Sequence, residues 1–482
     1  MKVNTISLNS VRLNTIALNH IGDIRSGGGG SKPSPIPQWI REHISFYYDM
    51  SKPMDVYPDD FGKWTKSTDS TFKVTSTNIT ITNLKAEKVS SVYIGKGGNF
   101  KGMKIRVSGL VDGQELYWGY WNSSLLRIPS NGDYTLSPIE QAVDNLGIRS
   151  GNIVGDCNIT IEMLPSGKSV PTNEILKVSG YLQDLSGRKR NMKLNNFLFD
   201  MMSGVDGYKN ETFTKVNGAI DIRFDYINGR QIKGKPAQDW GKFGYYRAKN
   251  MVERIIYCNW HVEGILDDNK VYFAQYTAYD NRVELHNGDN YIELDTNQGK
   301  AGYNYISVIS DQPYSTDISI TQIPEYPGAL VTDGVDDYGL VENLSSGVKM
   351  LFLTINTSSQ NRYIYEQRKE KDILTFSVLG KPVGDDVAYN WKNNGHTYID
   401  GVLNNTITSA NLLNKKHILT IVNDDVTVEN TKTPRYFATD FENYPSKLAF
   451  YNSIAFDSIP TEADGFTEQE LIDYVLTNII GQ

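Results

Sequence analysis

The sequence predicts an all-β chain assembled from antiparallel sandwiches, and three observations lead there. Short segments with period-two alternation, such as Lys104–Ser108 and Val271–Tyr276, recur between Asp-Gly and Asn-Gly turn signals. The middle of the chain contains a degenerate internal repeat of such segments. Helix signals are sparse: Thr467, with Glu470 three residues on, is a capping box that opens the one clear amphipathic stretch, Glu468–Leu476.

The chain has 482 residues, enough for roughly three domains at about 150 residues each. With 39% hydrophobic and 22% charged residues, ordinary packed cores are expected. Tyr is unusually frequent, 30 residues against 17 Phe, which suits half-wet pleated surfaces. A net charge of -8 argues against nucleic acid as the main partner, because phosphates demand a basic face. Arg188, Lys189 and Arg190 form the densest basic cluster, and a solvated turn accounts for them. The two cysteines, Cys157 and Cys258, are too few for a four-ligand zinc site; they leave open a single disulfide, and a reduced cytosolic folding environment is the simpler reading. No apolar run approaches the ~18 residues of a membrane span, and the opening residues lack the apolar core of a secretory signal. Folding in a cytoplasm is the expectation.

The N-terminal arm, residues 1–37, comes first. VNTISLN at Val3–Asn9 is echoed by LNTIALN at Leu13–Asn19, a ten-residue repeat of alternating pieces. Gly27–Gly30 form a flexible break, and Pro33, Pro35 and Pro37 a stiffer spacer. So short a segment cannot bury a core of its own. Val3, Ile6, Leu8, Leu13, Ile16 and Leu18 are therefore expected to dock on another subunit by strand addition.

The internal repeat follows. Residues Ile105–Leu136 align with Trp260–Leu294, matching Gly109 to Gly264, Tyr117 to Tyr272, Trp118 to Phe273 and Arg127 to Arg282. The Asn-Gly-Asp turns at Asn131 and Asn287 fall in step, and each copy closes with a similar strand, CNITIEMLP ending at Pro165 and TDISITQIP ending at Pro324. Each copy is expected to be a small antiparallel β-sandwich of about 120 residues. In Tyr117–Trp121, neighbours point to opposite faces, so one side of that aromatic strand belongs to the core.

The C-terminal third carries ALVTDGVDDYGL at Ala329–Leu340, TYIDGVLN at Thr397–Asn404, KHILTIV at Lys416–Val422, and a closing strand followed by the capped helix. Met350–Asn356 (MLFLTIN) and Ile418–Val422 are continuous apolar runs of buried-strand type. Asn393-Asn394-Gly395 and Asp400-Gly401 are turn formers at hairpin spacing. These segments resemble laminin-G-like, concanavalin-type jelly rolls. Two earlier pieces fit the same pattern: ISFYYDM at Ile44–Met50 as a first strand, and GYLQDLSGRKRNMKLNNFLF at Gly180–Phe199. The resemblance implies an antiparallel jelly-roll β-sandwich in three pieces, 38–51, 176–204 and 327–482, interrupted by two related inserted β-modules, 52–175 and 205–326. The combination of the NTxxLN-type arm, the FYYDMS strand at Phe46–Ser51, the DLSG and NNF pieces of Gly180–Phe199 and the split jelly roll also resembles structural proteins of phages infecting gut Bacteroidales, crAss-like phages among them.

Candidate sites are few. The jelly roll also serves glucanases, which need two carboxylates on one strand face. Only Glu462-Ala463-Asp464-Gly465-Phe466-Thr467-Glu468 fits by spelling, and it spans a glycine and a helix N-cap. No catalytic residues are expected. Tyr389, Trp391, Asn393, His396 and Tyr398 form an aromatic and amide stretch suited either to a glycan or to hairpin packing. Asp333, Asp336 and Asp337 leave two readings open: ligands of Ca²⁺, as in some laminin-G-like domains, or a hydrogen-bonded turn before Tyr338. No other cofactor is expected.

Function is then expected to be non-enzymatic: a head-fibre, head-decoration or tail-associated virion protein, made in the host cytoplasm and bound to other virion proteins through its arm. Homo-oligomerisation and contact with a host surface glycan fit that expectation; nucleic acid and membrane do not. The alternatives are a carbohydrate-binding adhesin and a jelly-roll glycan hydrolase.

Overall fold

The computed structural model describes residues 36–66, 71–84, 91–94, 98–120, 123–143, 145–151, 155–199, 203–208, 224–236, 245–247, 255–275, 282–295, 305–344, 347–357, 363–368, 377–379, 395–404, 412–422, 431–438, 446–459 and 466–480. The docking arm with Val3, Ile6, Leu8, Leu13, Ile16 and Leu18 lies outside these residues. In the N-terminal unit, Met1–Glu42, the described part is one helical turn, Gln38–Arg41, which starts after Pro37.

The second unit, His43–Gln482, is all-β, made of antiparallel sheets packed as sandwiches, with no closed barrel among the described residues. Its jelly roll has one sheet in the order Gly204–Val205, Leu330–Val331, Leu448–Phe456, Met350–Thr357, Lys416–Val422, His396–Ile399 and Val402–Leu403, with Ile44–Asp49 also on Leu448–Phe456. The facing sheet runs Tyr181–Leu182, Met192–Asn195, Tyr338–Val341, Thr431–Tyr436, Tyr363–Arg368 and Ser377–Leu379. Phe46, Tyr48, Leu351, Leu353, Leu419 and Phe450 of the first sheet meet Met192, Val341, Ile364 and Tyr436 of the second in one core. The apolar run Met350–Thr357 lies at the middle of its sheet and is buried on both faces, as its lack of alternation requires.

Two further sandwiches have their own cores. The first has sheets ordered Gly132–Leu136, Met103–Ser108, Gly155–Met163, Asn78–Leu84, Thr71–Val74 and Ser123–Ile128, Leu116–Tyr120, Leu146–Ser150, Ser91–Ile94, Thr65–Lys66. The second has sheets ordered Gly288–Asp295, Ile255–Glu263, Ile318–Gln322, Gln231–Gly234, Phe224–Asn228 and Arg282–Leu285, Val271–Gln275, Tyr305–Ser310, Tyr245–Arg247. The strand orders coincide except for Thr65–Lys66, which has no counterpart among the described residues of the second module, so the sequence repeat is a structural duplication. Trp118 and Phe273, matched in sequence, are both buried in their cores.

The duplication extends to single hydrogen bonds. Asn131 Oδ1 accepts from Leu110 N and its Nδ2 donates to Leu110 O, both at 2.8 Å. Asn287 makes the same pair to Ile265, at 2.8 and 2.7 Å. Gly109 has φ +84° and Gly264 φ +93°. A Cβ on Gly109 would lie 1.9 Å from the Asn158 carbonyl oxygen, and one on Gly264 2.7 Å from that of Asp317, its counterpart in the closing strand. Glycine is required at both positions by conformation and by space.

Each sandwich joins the jelly roll through a short paired stalk. Met54–Asp55 pairs antiparallel with Ser169–Val170, Met54 opposite Val170 and Asp55 opposite Ser169. Gly204–Val205 pairs with Leu330–Val331, Gly204 opposite Val331 and Val205 opposite Leu330. The outgoing and returning chains are thus neighbours, which makes insertion into a parent fold cheap in loop-closure entropy. A helix, Thr172–Ser179, follows the first stalk and buries Leu176 in the jelly-roll core.

The basic cluster is not a simple solvated turn. Arg190 is buried and its Nη1 donates to Ser45 Oγ at 2.5 Å, while Arg188 pairs with Asp457 at 3.1 Å and Lys189 with Glu162. Asp184 organises this loop, accepting from Tyr47 N, Ser186 N and Arg190 N. A loop rich in like charges is held by acids far away in sequence, which a local reading cannot foresee.

Candidate metal centre

The chain leaves one jelly-roll sheet at Leu330–Val331 and enters the other at Tyr338–Val341. The crossover between them is Thr332–Asp337. Thr332 anchors its start, donating from Oγ1 to Ser446 O at 2.6 Å and accepting from Leu448 N at 3.0 Å. Gly334, at φ +78°, makes the reversal; a Cβ there would lie 2.8 Å from Lys447 Cβ. The reversal gathers Asp333, Asp336 and Asp337 so that one carboxylate oxygen of each lies within 4.8 Å of the others.

The three acids differ in surroundings. Asp336 is exposed, Asp333 half-buried and Asp337 fully buried. Asp333 Oδ1 accepts from Val335 N at 2.7 Å. Asp337 Oδ2 accepts from Asp333 N and from Ser203 Oγ, each at 2.9 Å. Asp337 Oδ1 is buried and has no hydrogen-bond donor. Asn196, at the end of the neighbouring strand, donates from Nδ2 to Asp336 O at 3.0 Å. Burial pushes the Asp337 carboxyl up to about 7, the Asp333 N–H and the Ser203 hydroxyl pull the other way, and the neighbouring Asp333 carboxylate raises it further by its charge and by sharing a hydrogen bond with the protonated acid.

The donor set is all oxygen, which suits a hard cation such as Ca²⁺ and not a thiophilic metal. The hydrogen-bonded turn expected before Tyr338 is present, but it accounts for only part of the arrangement, since it leaves Asp337 Oδ1 unsatisfied. Ser203 and Asn196 had not been expected here. They come from the segment before the second stalk, more than 130 residues away in sequence.

The expected glycan stretch fares differently. Tyr389, Trp391 and Asn393 lie outside the described residues. His396 is exposed at the start of its strand. Tyr398 is buried, and its hydroxyl donates to Glu468 Oε1 at 2.5 Å, on the first residue of the C-terminal helix. The Tyr398 ring packs inside the fold, so for this residue the hairpin-packing alternative holds. In the acidic spelling near the C-terminus, Glu462, Asp464 and Gly465 lie outside the described residues; Thr467 is the helix N-cap and Glu468 opens the helix.

A gap of about 10 Å³ in the first module, lined by residues including Phe72, Ile81, Leu116 and Ile161, has room for about one water and is packing slack. On the outer face of the second module, Tyr257 and Tyr291 are exposed on adjacent strands, Tyr291 opposite Asn259 and Tyr257 opposite Glu293. The alternation of Tyr257-Cys258-Asn259-Trp260 was the signal, since Cys258 and Trp260 are buried and their neighbours must face out.

No known family model matches the chain, and no curated protein matches it in sequence. What the fold and the geometry define is an all-β protein in which a jelly roll carries a duplicated sandwich and an acidic crossover.

Proposed function

We propose that this chain is a non-enzymatic structural protein of a tailed-phage virion, a jelly-roll body that displays two duplicated modules and is anchored by its N-terminal arm. The observation that supports this best is the paired stalk under each module, Met54–Asp55 with Ser169–Val170 and Gly204–Val205 with Leu330–Val331. Two modules of one plan, each inserted into a common body between two adjacent paired strands, suit an architecture of display. The sequence resemblance of the arm and of the split jelly roll points the same way.

The test is assembly. Deleting residues 1–30 is expected to leave a soluble, folded body that no longer enters particles when co-produced with the other virion components. Incorporation of the truncated chain at the full-length level would remove the anchoring role.

A second reading, a carbohydrate-binding adhesin, is favoured by the exposed pair Tyr257 and Tyr291, because ring faces stack on sugars and neighbouring amides and carboxylates can bond to hydroxyls. On a glycan array, binding lost in Tyr291→Ala and retained in Trp391→Ala would assign the sugar contact to the second module. The reverse outcome would return it to the jelly-roll loop, and an array without signal would remove this reading.

A further inference from the structure

We infer that the open edge of the second module, strand Gly288–Asp295, accepts the N-terminal arm of a second copy of this chain as an added strand. This acceptor rests on the reading of the arm as an anchor, and gives that arm a partner.

The edge has the form that strand addition needs. One sheet of the second module ends at Gly288–Asp295, and no described strand lies beyond it. Its eight residues pair one for one with Ile255–Val262, without a bulge. The other sheet orders end in strands of two to six residues, the longest of them, Ser123–Ile128, broken by a register shift. The matching edge of the first module, Gly132–Leu136, pairs over five residues. A long, flat edge without lysine, proline or a bulge is a template for another strand.

The edge also turns its backbone outward at defined places. Ile323 N donates to Asn259 O at 2.8 Å, so Asn259 directs its peptide groups away from Gly288–Asp295. Asn259 stands opposite Tyr291, and an antiparallel pair exchanges both of its bonds or neither. Tyr291 therefore presents its N–H and C=O to the open side, and at the period of two so do Asp289 and Glu293. The side chains of these three residues are exposed, that of Tyr291 at 71%.

Charge selects the occupant. Asp289, Glu293 and Asp295 give this edge three acids and no base. Two copies of it paired antiparallel about Tyr291 would bring Asp289 opposite Glu293, and like charges directly opposite are destabilising. The arm is the complement: residues 1–20 hold Lys2 and Arg12 and no acid, glycine or proline. An antiparallel register with Ile6 opposite Tyr291 sets Lys2 opposite Asp295 and beside Glu293, and the second unit of the arm repeats this with Ile16 and Arg12. A parallel register would set Lys2 opposite Asn287, outside the strand. Residues 20–37, fully extended, span about 60 Å, which allows the arm to cross to a neighbouring copy.

The test is self-association of the full chain, read by sedimentation velocity at micromolar concentrations. The parent is expected to associate, and the chain lacking residues 1–30 to stay a monomer. Tyr291→Pro removes an N–H that the module's own sheet does not use and an added strand needs. It should weaken association at least about tenfold and leave thermal unfolding of the module in place. Glu293→Lys, at an exposed position, should weaken association likewise, and Lys2→Glu with Arg12→Glu in the same chain should restore it, a rescue that a structural defect would not show. In a mixture of Ile6→Cys chains with Tyr291→Cys chains, oxidation should join one to the other, because opposite residues of a hydrogen-bonded pair stand about 5.5 Å apart at Cα, within disulfide reach. A monomeric parent overturns the inference. Association unchanged in Tyr291→Pro and Glu293→Lys, with particle entry still lost in the 1–30 deletion, overturns this acceptor and leaves the anchoring reading standing. Association lost in the deletion, with particle entry at the full-length level, does the reverse.

Discussion

Asn131 and Asn287 each present both ends of one amide to one backbone residue, and the chemistry leaves little choice of replacement. Asn131→Ala would strip partners from the N–H and C=O of Leu110, itself buried, at a cost of about 1–2 kcal/mol. Asn131→Asp should cost at least as much, because a carboxylate oxygen would then face the Leu110 carbonyl. Chemical denaturation followed by amide exchange in the strands around Trp118 reads the first module's transition; an unchanged midpoint in Asn131→Ala would show that the latch is decorative. Nearby, the two copies differ in one instructive pair. Arg106 and Asp133 bond through two nitrogens at 2.7 and 2.9 Å, and the same cross-strand register holds His261 against Asp289 at 2.6 Å in the second copy. The pair is permanent in the first module and titratable in the second. The bond to Asp289, with Glu263 beside it, raises the His261 pKa above its ordinary 6.5. A base that binds its proton more tightly when folded stabilises the fold fully below the unfolded pKa, and that contribution is lost as pH rises through the folded one. NMR titration should therefore find His261 above 6.5, and Asp289→Asn should bring it down; a value at or below 6.5 in the parent would refute the pair.

At the scale of elements, what was legible in the sequence was what local chemistry decides. Asp400 and Gly401 both take positive φ, +52° and +82°, closing the two-residue hairpin between His396–Ile399 and Val402–Leu403 as an Asp-Gly pair does in a type I′ turn. Thr467 and Glu470 form the capping box that starts Glu468–Val475. The repeat was legible because its glycines and asparagines are fixed by backbone geometry. Hidden were the contacts set by tertiary placement: the burial of Arg190 and Tyr398, and the arrival of Ser203 at Asp337. No local pattern encodes a partner more than 60 residues away. Glu342 is another such case. It follows the strand Tyr338–Val341, and its carboxyl is pushed up to about 7, by burial first, with Asp60 adding and Lys193 and Lys73 opposing. Asp60 and Lys73 belong to the first module's segment, so the shift reports the junction. An acid with a folded pKa above its unfolded 4.5 contributes stability that is fully present below about pH 4.5 and is lost as pH rises toward 7. The whole effect is at most about 3 kcal/mol. Glu342→Gln should flatten stability against pH across that window; an equal slope in parent and variant would show that Glu342 titrates normally.

At the scale of the whole molecule, the stalks make a sharp statement about what depends on what. Asp55 faces Ser169 and Val205 faces Leu330 across antiparallel ladders, so each module begins and ends at a pair of neighbouring residues. Replacing residues 56–168 with Asn-Gly would turn the first stalk into a two-residue hairpin in the same register, and replacing 206–329 likewise would close the second. Each core belongs to its own sandwich: Trp118 and Ile105 lie in one, Trp260 and Phe273 in another, Phe46 and Tyr436 in the third. The doubly excised chain is therefore expected to unfold in one cooperative transition as a jelly roll, while the parent shows more than one. The excision should not be free. Removing the first module takes away Glu162, the partner of Lys189, and uncovers Glu342, whose pKa should fall back toward 4.5. The excised chain should thus lose the acid-side stability that the parent gains from Glu342, and its pH profile should match that of Glu342→Gln. A doubly excised chain without a cooperative transition would mean that the jelly roll needs its passengers to fold, and the modules would then be structural parts of one body and not displayed additions to it.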